Sequence, residues 1–179
     1  MRSKKKGLML KKLSSRHASL IHNWIASITR CSADRILPGM LIGNYGGRYI
    51  EVYHASETLY KIIETLMEKH VKPYAAGLHV ATIKGDKVTP SLPLARYLVN
   101  RCHPQDYCHT IITSKGEKLF LYGRNVLEEN IVYYNCIDKH SVVVNRRREP
   151  LGWGIVEKTG KELLLTNVKD VGWYIRMGG

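Results

Sequence analysis

The sequence predicts an α+β protein, in which a mixed N-terminal α+β domain is followed by a small β-barrel. In the last third of the chain, strand-like runs at residues 141–145, 151–156 and 163–166 are separated by turn residues. Short strands with a turn signal about every ten residues are typical of a small closed β-structure. Before them, amphipathic helix patterns are mixed with paired strand patterns, and this mixture indicates an α+β domain.

Three helices are predicted in the N-terminal part. The first follows Ser14 or Ser15 and the second follows Ser56, because a hydroxyl at these positions can accept an unpaired backbone N–H. The third is predicted at residues 93–101. Apolar residues at helical spacing should form the buried faces of the first two helices. They are Ala18, Ile21, Ile25 and Ile28 in the first, and Leu59, Ile62, Ile63, Leu66 and Met67 in the second.

Strands are predicted between these helices. Residues 40–42 and 48–53 should pair across the glycine-rich loop 43–47, and further strands are predicted at 77–83 and 107–112. A glycine-rich loop could instead cradle a phosphate group. No Lys-Ser/Thr pair follows this loop and the next element is a strand, so the hairpin is the favoured interpretation.

The domain boundary is predicted at a short polar connection, residues 113–116, which separates domain 1–112 from domain 113–179. After it, the apolar run 119–123 ends in a glycine. A compact helix is predicted at residues 124–130, where it would plug one end of the barrel. A last strand is predicted at residues 173–176.

Four stretches in this second domain resemble a known RNA-binding module. They read LFLYGRNVL, SVVV, EPLGWGIV and KDVGWYIR. Their order resembles a PUA domain, and more closely the archaeal-type members of the nuclear import protein seven family, which are ribosome-biogenesis factors. The resemblance covers residues 113–179 well and residues 40–112 more weakly. It implies a pre-PUA domain followed by a PUA domain.

This resemblance also implies a function. It implies a non-catalytic RNA-binding protein that acts on pre-rRNA in the assembly of the large ribosomal subunit. Its partners would be other assembly proteins, with exosome subunits among them, and the first domain would be the docking surface. We expect a monomer that is cytoplasmic, or nucleolar if the source is eukaryotic. The alternatives are a PUA protein that binds tRNA or acts in translation initiation, an accessory part of an RNA-modification enzyme, and a protein scaffold.

The charge of the chain points to a polyanionic partner. Its 179 residues carry a formal net charge of +13, with a pI of about 9.7. Residues 1–112 contribute +10 and residues 113–179 only +3. No apolar run approaches the roughly 18–20 residues that a membrane-spanning helix needs, so we expect an intracellular soluble protein.

Metal binding and catalysis are both disfavoured by the sequence. Cys102-His103 and Cys108-His109 carry ligand types that suit zinc, but adjacent residues on one strand point to opposite faces. Cys31 and Cys136 are isolated in the sequence, and four cysteines in this length do not indicate a disulfide framework. No local signature joins a nucleophile to a base, and Asp170 is interpreted as a turn residue. We therefore expect no metal, no cofactor and no enzyme activity.

The candidate RNA-binding residues lie in the second domain. Lys158 and Lys161 flank a turn, and the resemblance supports them together with Lys169. Because Glu162, Leu163 and Thr166 replace the basic character expected there, the basic patch should be thinner than in the family. The lysine pair 158/161 is still expected to contribute more to RNA binding than residues 1–6. The other cationic candidates are Arg124, Arg146, Arg147, Arg148 and Arg176, and the tyrosines that could stack on bases are Tyr122, Tyr133 and Tyr134.

Overall fold

The computed structural model of the protein describes residues 9–71, 73, 76–160 and 162–177. The chain divides into two compact units. The N-terminal unit comprises Met1–Ile25 and Ala33–Leu94, and the C-terminal unit comprises Ala26–Ser32 and Ala95–Gly179. The domain limits predicted from sequence, 1–112 and 113–179, stay a prediction.

The N-terminal unit is built on a five-stranded antiparallel sheet. Its strands are β1 Leu10–Lys12, β2 Met40–Asn44, β3 Ile50–Ala55, β4 Leu78–Lys84 and β5 Lys87–Pro90, and they are adjacent in that order. The helices are α1 Ser15–Ile28, whose last three residues belong to the C-terminal unit, α2 Ala33–Ile36 and α3 Glu57–Glu68. The predicted hairpin across the glycine-rich loop is confirmed, with β2 extended to Asn44.

The helix predictions for this unit are confirmed by their caps and by most of their predicted buried faces. The exception is Ile62, which was predicted to be buried but is 51% exposed. Ser56 caps α3, because its hydroxyl accepts the Leu59 N–H at 3.2 Å. Ser14 plays the same part for α1 by accepting the His17 N–H at 3.4 Å. In α3, Ile63 is buried in a core cluster that also contains Leu10, Ile42, Ala55 and Ala76.

The C-terminal unit contains a six-stranded sheet that curls into a nearly closed barrel. Its strands are β6 His109–Ile112, β7 Val126–Leu127, β8 Ile131–Tyr134, β9 His140–Val144, β10 Pro150–Thr159 and β11 Glu162–Asp170, in the order β7-β11-β10-β9-β6-β8. All neighbours are antiparallel except β6 and β9. The helices are α4 Leu92–Arg101, which begins in the N-terminal unit, α5 Ser114–Leu121 and α6 Trp173–Met177.

Three predictions for the C-terminal unit are wrong. The polar connection at residues 113–116 is the start of α5, because the Thr113 hydroxyl accepts the Gly116 N–H at 3.1 Å and caps the helix. The first three residues of the apolar run, 119–121, complete this helix, with Phe120 fully buried and Leu119 and Leu121 half-buried. The helix predicted after Gly123 is only a 3-10 turn, Glu128–Asn130. The last strand is instead the helix α6.

The expectation about the cysteines is also wrong. Cys31 is bonded to Cys102 and Cys108 to Cys136, with Cα atoms 6.1 and 5.5 Å apart. The partners are 71 and 28 residues apart in sequence, so no local pattern indicates either pair. Both cysteines of the proposed zinc set are therefore occupied by other bonds. No helix in the described ranges is long and apolar enough to cross a membrane.

Candidate nucleic-acid interface

The exposed face of α5 brings cations and an aromatic ring together. Lys115, Lys118 and Tyr122 recur at spacings of three and four residues, which places them on one face of the helix. With Leu119 and Arg124 they line a surface recess of about 390 Å³. Tyr122 is 72% exposed, so its ring is open to a ligand.

The end of α5 explains how Arg124 reaches this recess. The helix closes in a Schellman motif, in which the Gly123 N–H donates to the Phe120 carbonyl at 2.9 Å and the Arg124 N–H donates to the Leu119 carbonyl at 3.0 Å. Gly123 has φ +75°, a left-handed conformation that glycine adopts without strain. The chain therefore turns back and places Arg124 beside the helix face that carries the lysines.

A second recess has a volume of about 480 Å³. One of its lining residues, Gly123, directly precedes Arg124, which lines the first recess. The second recess is also lined by β11 and α6, including Lys169 and Trp173. Lys169 is half-buried, and this burial lowers its pKa. Trp173 and Tyr174 are 46% and 61% exposed, and their ring centres lie 5.3 Å apart. We call the two recesses, together with the Tyr174 ring that contacts Trp173, the α5–α6 surface; its cations and aromatic residues are Lys115, Lys118, Tyr122, Arg124, Lys169, Trp173 and Tyr174.

An ion pair between Arg176 and the buried carboxylate of Asp170 supports this surface. Arg176 donates to both carboxylate oxygens of Asp170 at 2.9 Å and also to the Leu121 carbonyl. The hydrogen bonds to Asp170 raise the pKa of Arg176. Asn167 donates to the Phe120 carbonyl at 2.7 Å and to Asp170 at 3.2 Å. Asp170 thus has a structural role through Arg176 and Asn167, and the charge of Arg176 is offset.

Gly172 is required for this packing. A Cβ atom at this position would lie 2.1 Å from the Leu121 carbonyl oxygen. The turn before α6 can therefore approach the end of α5 only because residue 172 has no side chain. This contact explains why Asp-Val-Gly precedes the final helix.

The structure does not bring Lys158 to the same place as Lys169. Lys158 is exposed at the β10–β11 hairpin, where it pairs with Leu163. Leu163 lies six residues before Lys169 on β11, a distance of about 20 Å along the strand. Lys161 lies outside the described residues. Lys158 and Lys169, which the family resemblance groups together, therefore lie at different positions on the C-terminal unit.

The arginine run occupies the turn between β9 and β10. The Asn145 side chain accepts the backbone N–H groups of Arg147 and Glu149, each at 3.0 Å, and Arg148 has φ +62°. The recess beside Arg146 and Arg147 also contains Glu117 and Glu149, which offset their charge. These arginines thus form a polar turn.

The histidines of the proposed zinc set have structural contacts. The His103 ring caps a 3-10 turn by accepting the Gln105 N–H at 3.4 Å. His109 is buried, with its ring 5.4 Å from that of Tyr107 and 5.1 Å from that of Tyr133. That no metal is needed stays a prediction.

Four residues of the α5–α6 surface were missed by sequence reasoning. The helical spacing of Lys115, Lys118 and Tyr122 was an available signal, but that segment was interpreted as a domain connection. Trp173 and Tyr174 were assigned to a strand, in which alternate residues would face the barrel interior. Among the tyrosines named from sequence, Tyr122 lies beside the cations.

Comparison with known proteins identifies the family. Residues 108–179 match the family model described as the UPF0113 PUA domain. A UPF0113 protein from Aeropyrum pernix is 36% identical over 141 residues, which are 79% of this chain and 77% of the relative. The chain belongs to the UPF0113 family. PUA domains generally bind RNA and are generally not catalytic.

Solved structures similar to this UPF0113 chain confirm the predicted fold class. A hypothetical protein from the hyperthermophilic archaeon Pyrococcus horikoshii OT3 superposes with a TM-score of 0.60 at 12% identity, covering 93% of this chain and 99% of that one. A conserved PUA domain protein from Thermoplasma acidophilum gives 0.57 at 12% identity, with coverages of 91% and 96%. A PUA domain from Aeropyrum pernix K1, in a tartrate complex, gives 0.54 at 11% identity, with coverages of 95% and 91%.

Proposed function

We propose that this protein binds single-stranded RNA through the α5–α6 surface and acts, without catalysis, as a ribosome-biogenesis factor for the large subunit. The observation that carries this proposal is the convergence of lysines, Arg124 and exposed aromatic rings at the end of α5 in a PUA domain. Each element of this surface has a separate task in RNA recognition.

Unpaired RNA offers phosphates and the faces of its bases. The side chains of Lys115, Lys118 and Arg124 are exposed and can bind phosphates. Phosphates attract cations whatever the base sequence of the RNA. Tyr122 and Trp173 offer rings on which a base can stack, and stacking contributes about 1–3 kcal/mol per base. Double-stranded RNA would not offer its base faces, so loops and single strands are the expected ligands.

The ribosomal part of the proposal rests on the resemblance to the nuclear import protein seven family. Two of the stretches that carry it, LFLYGRNVL and KDVGWYIR, are those that build the end of α5 and the turn into α6. Pre-rRNA is therefore the proposed ligand. Other assembly proteins, with exosome subunits among them, are the proposed partners of a monomeric protein, which would act in the cytoplasm or, in a eukaryote, the nucleolus.

Crosslinking in cells tests this function. The full chain would be crosslinked to RNA by ultraviolet light and the bound RNA sequenced, for the natural protein and for Lys118→Ala with Arg124→Ala. A matched control is Arg30→Ala with Lys139→Ala, which removes the same charge at exposed sites elsewhere on the C-terminal unit. We expect pre-rRNA fragments that only the first variant loses. Enrichment of tRNA, or no enrichment of rRNA, would overturn the ribosomal role.

A further inference from the structure

The loop that connects β2 and β3 in the N-terminal unit, residues 45–49, holds two tyrosines beside cations. The Lys11 ammonium lies 4.6 Å from the centre of the Tyr45 ring. The Lys84 ammonium and the Arg48 guanidinium lie 5.5 and 5.9 Å from the centre of the Tyr49 ring. These are cation–π distances. Each ring therefore lies within reach of a positive charge; the Tyr49 side chain is exposed and that of Tyr45 is half-buried.

The sheet register collects these groups at one edge. The start of β1 lies beside the end of β2, the start of β3 beside the end of β4, and the end of β4 beside the start of β5. The first turn of α1 joins this edge, since Arg16 pairs with Asp86 at 3.0 Å and the Tyr45 hydroxyl accepts the Ser14 N–H at 3.2 Å. We call this edge the loop-45 surface; its members are Lys11, Arg16, Tyr45, Arg48, Tyr49, Lys84 and Lys87.

The charges of the loop-45 surface are mostly uncompensated. Asp86 is paired with Arg16, and Glu51 forms hydrogen bonds with two neutral groups, the Asn44 amide at 3.0 Å and the Tyr53 hydroxyl at 3.2 Å, so these two carboxylates face five cations and the surface keeps an excess of positive charge. Within the described part of the chain, no ion pair involves the other four cations. They are Lys11, Arg48, Lys84 and Lys87. Such an edge attracts a polyanion.

We infer that the loop-45 surface is a second binding site for single-stranded RNA, on the N-terminal unit and separate from the α5–α6 surface. The tyrosines favour RNA over an acidic protein segment. An acidic segment would use the cations alone, whereas RNA uses both, because bases stack on the rings while phosphates meet the neighbouring cations. Tyr49 is 39% exposed, and the charged groups of Arg48 and Lys84 lie 5.9 and 5.5 Å from its ring centre.

Charge-matched variants of the full chain test this site. Arg48→Ala with Lys84→Ala removes two cations of the loop-45 surface, and the control Lys61→Ala with Lys69→Ala removes two exposed cations at α3 of the same unit. For single-stranded RNA, each phosphate contact contributes about −0.7 to the slope of log K against log salt. At 0.1 M salt this contribution corresponds to about fivefold in affinity. We expect about 25-fold weaker binding and a salt slope smaller by about 1.4 for the first variant, with neither change in the control.

A third variant tests stacking. Tyr49→Leu keeps an apolar side chain but removes the ring, and it should weaken RNA binding about fivefold or more with an unchanged salt slope. The melting temperature of every variant is measured alongside, and an RNA-affinity loss counts only at an unchanged melting temperature. Where Arg48→Ala with Lys84→Ala is unstable, Arg48→Gln with Lys84→Gln replaces it.

The outcomes separate this inference from the proposed function. If Lys118→Ala with Arg124→Ala weakens RNA binding while the loop-45 variants equal their control, the second site is overturned and the proposed function stands. If only the loop-45 variants lose affinity, the second site stands and the α5–α6 proposal falls. Binding of polyglutamate that depends on Arg48 and Lys84, with RNA binding unaffected, would assign the surface to an acidic protein and overturn the inference.

Discussion

At the scale of single residues, Asp170 holds the end of the C-terminal unit together. This residue is 2% exposed, and its carboxylate accepts hydrogen bonds from Arg176 and Asn167, which also donate hydrogen bonds to carbonyl groups at the end of α5. A carboxylate in this position is stable only while its partners neutralise it. Arg176, a candidate RNA contact by charge alone, is therefore expected to act on stability first.

Substitutions of Asp170 and Arg176 should show how strongly the stability of the protein depends on their ion pair. We expect Arg176→Ala to lower the melting temperature by several degrees and by more than Asp170→Asn, because the first leaves a buried carboxylate without its partner. The double variant should be less destabilised than the sum of the two changes. Thermal unfolding of the three variants measures this coupling. Additive losses would mean that the two side chains stabilise the protein independently.

His109 should make stability depend on pH. Burial lowers its pKa from the ordinary value of about 6.5, and the nearby Arg148 charge acts in the same direction. The unfolded chain then binds a proton more readily than the folded one, so stability falls as the pH drops below about 6.5 and through the folded pKa. We expect His109→Phe, which keeps a ring between Tyr107 and Tyr133, to reduce the loss of melting temperature between pH 7 and pH 5. An unchanged pH profile would contradict this account.

At the scale of elements, helices with caps and regular apolar spacing were predicted from the sequence, whereas α5 and α6 were not. Ser56 and the apolar residues of α3 give a local signal at helical period. The run Leu119–Phe120–Leu121 is too short to distinguish a helix from a strand by periodicity. Helix α6 has only five residues, and its position depends on Asp170 and Gly172 meeting α5. Because neither helix was predicted, the surface that they form was not predicted either.

The disulfides are tertiary features that no local pattern specifies. Cys31 follows α1 and Cys102 follows α4, and the bond between them closes a loop of 71 residues. Disulfides persist in oxidising compartments and also inside the cells of hyperthermophiles, so these bonds do not decide where the protein acts.

Removing the disulfides should destabilise the protein. On the chain-entropy model, loops of 71 and 28 residues correspond to about 4 and 3.5 kcal/mol respectively. We expect Cys31→Ser with Cys102→Ser, and Cys108→Ser with Cys136→Ser, each to lower the free energy of unfolding by 2 kcal/mol or more, about half the model value. Denaturant titration measures the loss. Mass spectrometry after alkylation without reductant checks the pairing, and four alkylated cysteines would refute it.

At the scale of the whole molecule, the two surfaces proposed to bind RNA lie in parts of the chain that differ in net charge. Residues 1–112 hold most of the net charge of +13 and contain the loop-45 surface, while the α5–α6 surface lies in the less basic part. Total charge governs long-range attraction, and affinity depends on where cations and rings converge.

The salt dependence of RNA binding reports how many phosphates are neutralised. Three contacts on the α5–α6 surface, from Lys115, Lys118 and Arg124, should contribute about −2 to the slope of log K against log salt for single strands, and contacts on the loop-45 surface would add to it. A titration from 50 to 200 mM salt measures it. Affinity that does not change with salt would exclude binding of the phosphate backbone.

The most direct test of the α5–α6 surface is the affinity for single-stranded RNA, at 0.1 M salt, of the full chain with Lys118→Ala and Arg124→Ala. The control is Arg30→Ala with Lys139→Ala. Loss of two phosphate contacts should weaken binding about 25-fold, and the control should bind as the natural protein does. Equal affinities of the two variants would contradict the account. A larger loss for Lys158→Ala with Lys161→Ala would contradict it too, and would locate the RNA at the β10–β11 hairpin instead.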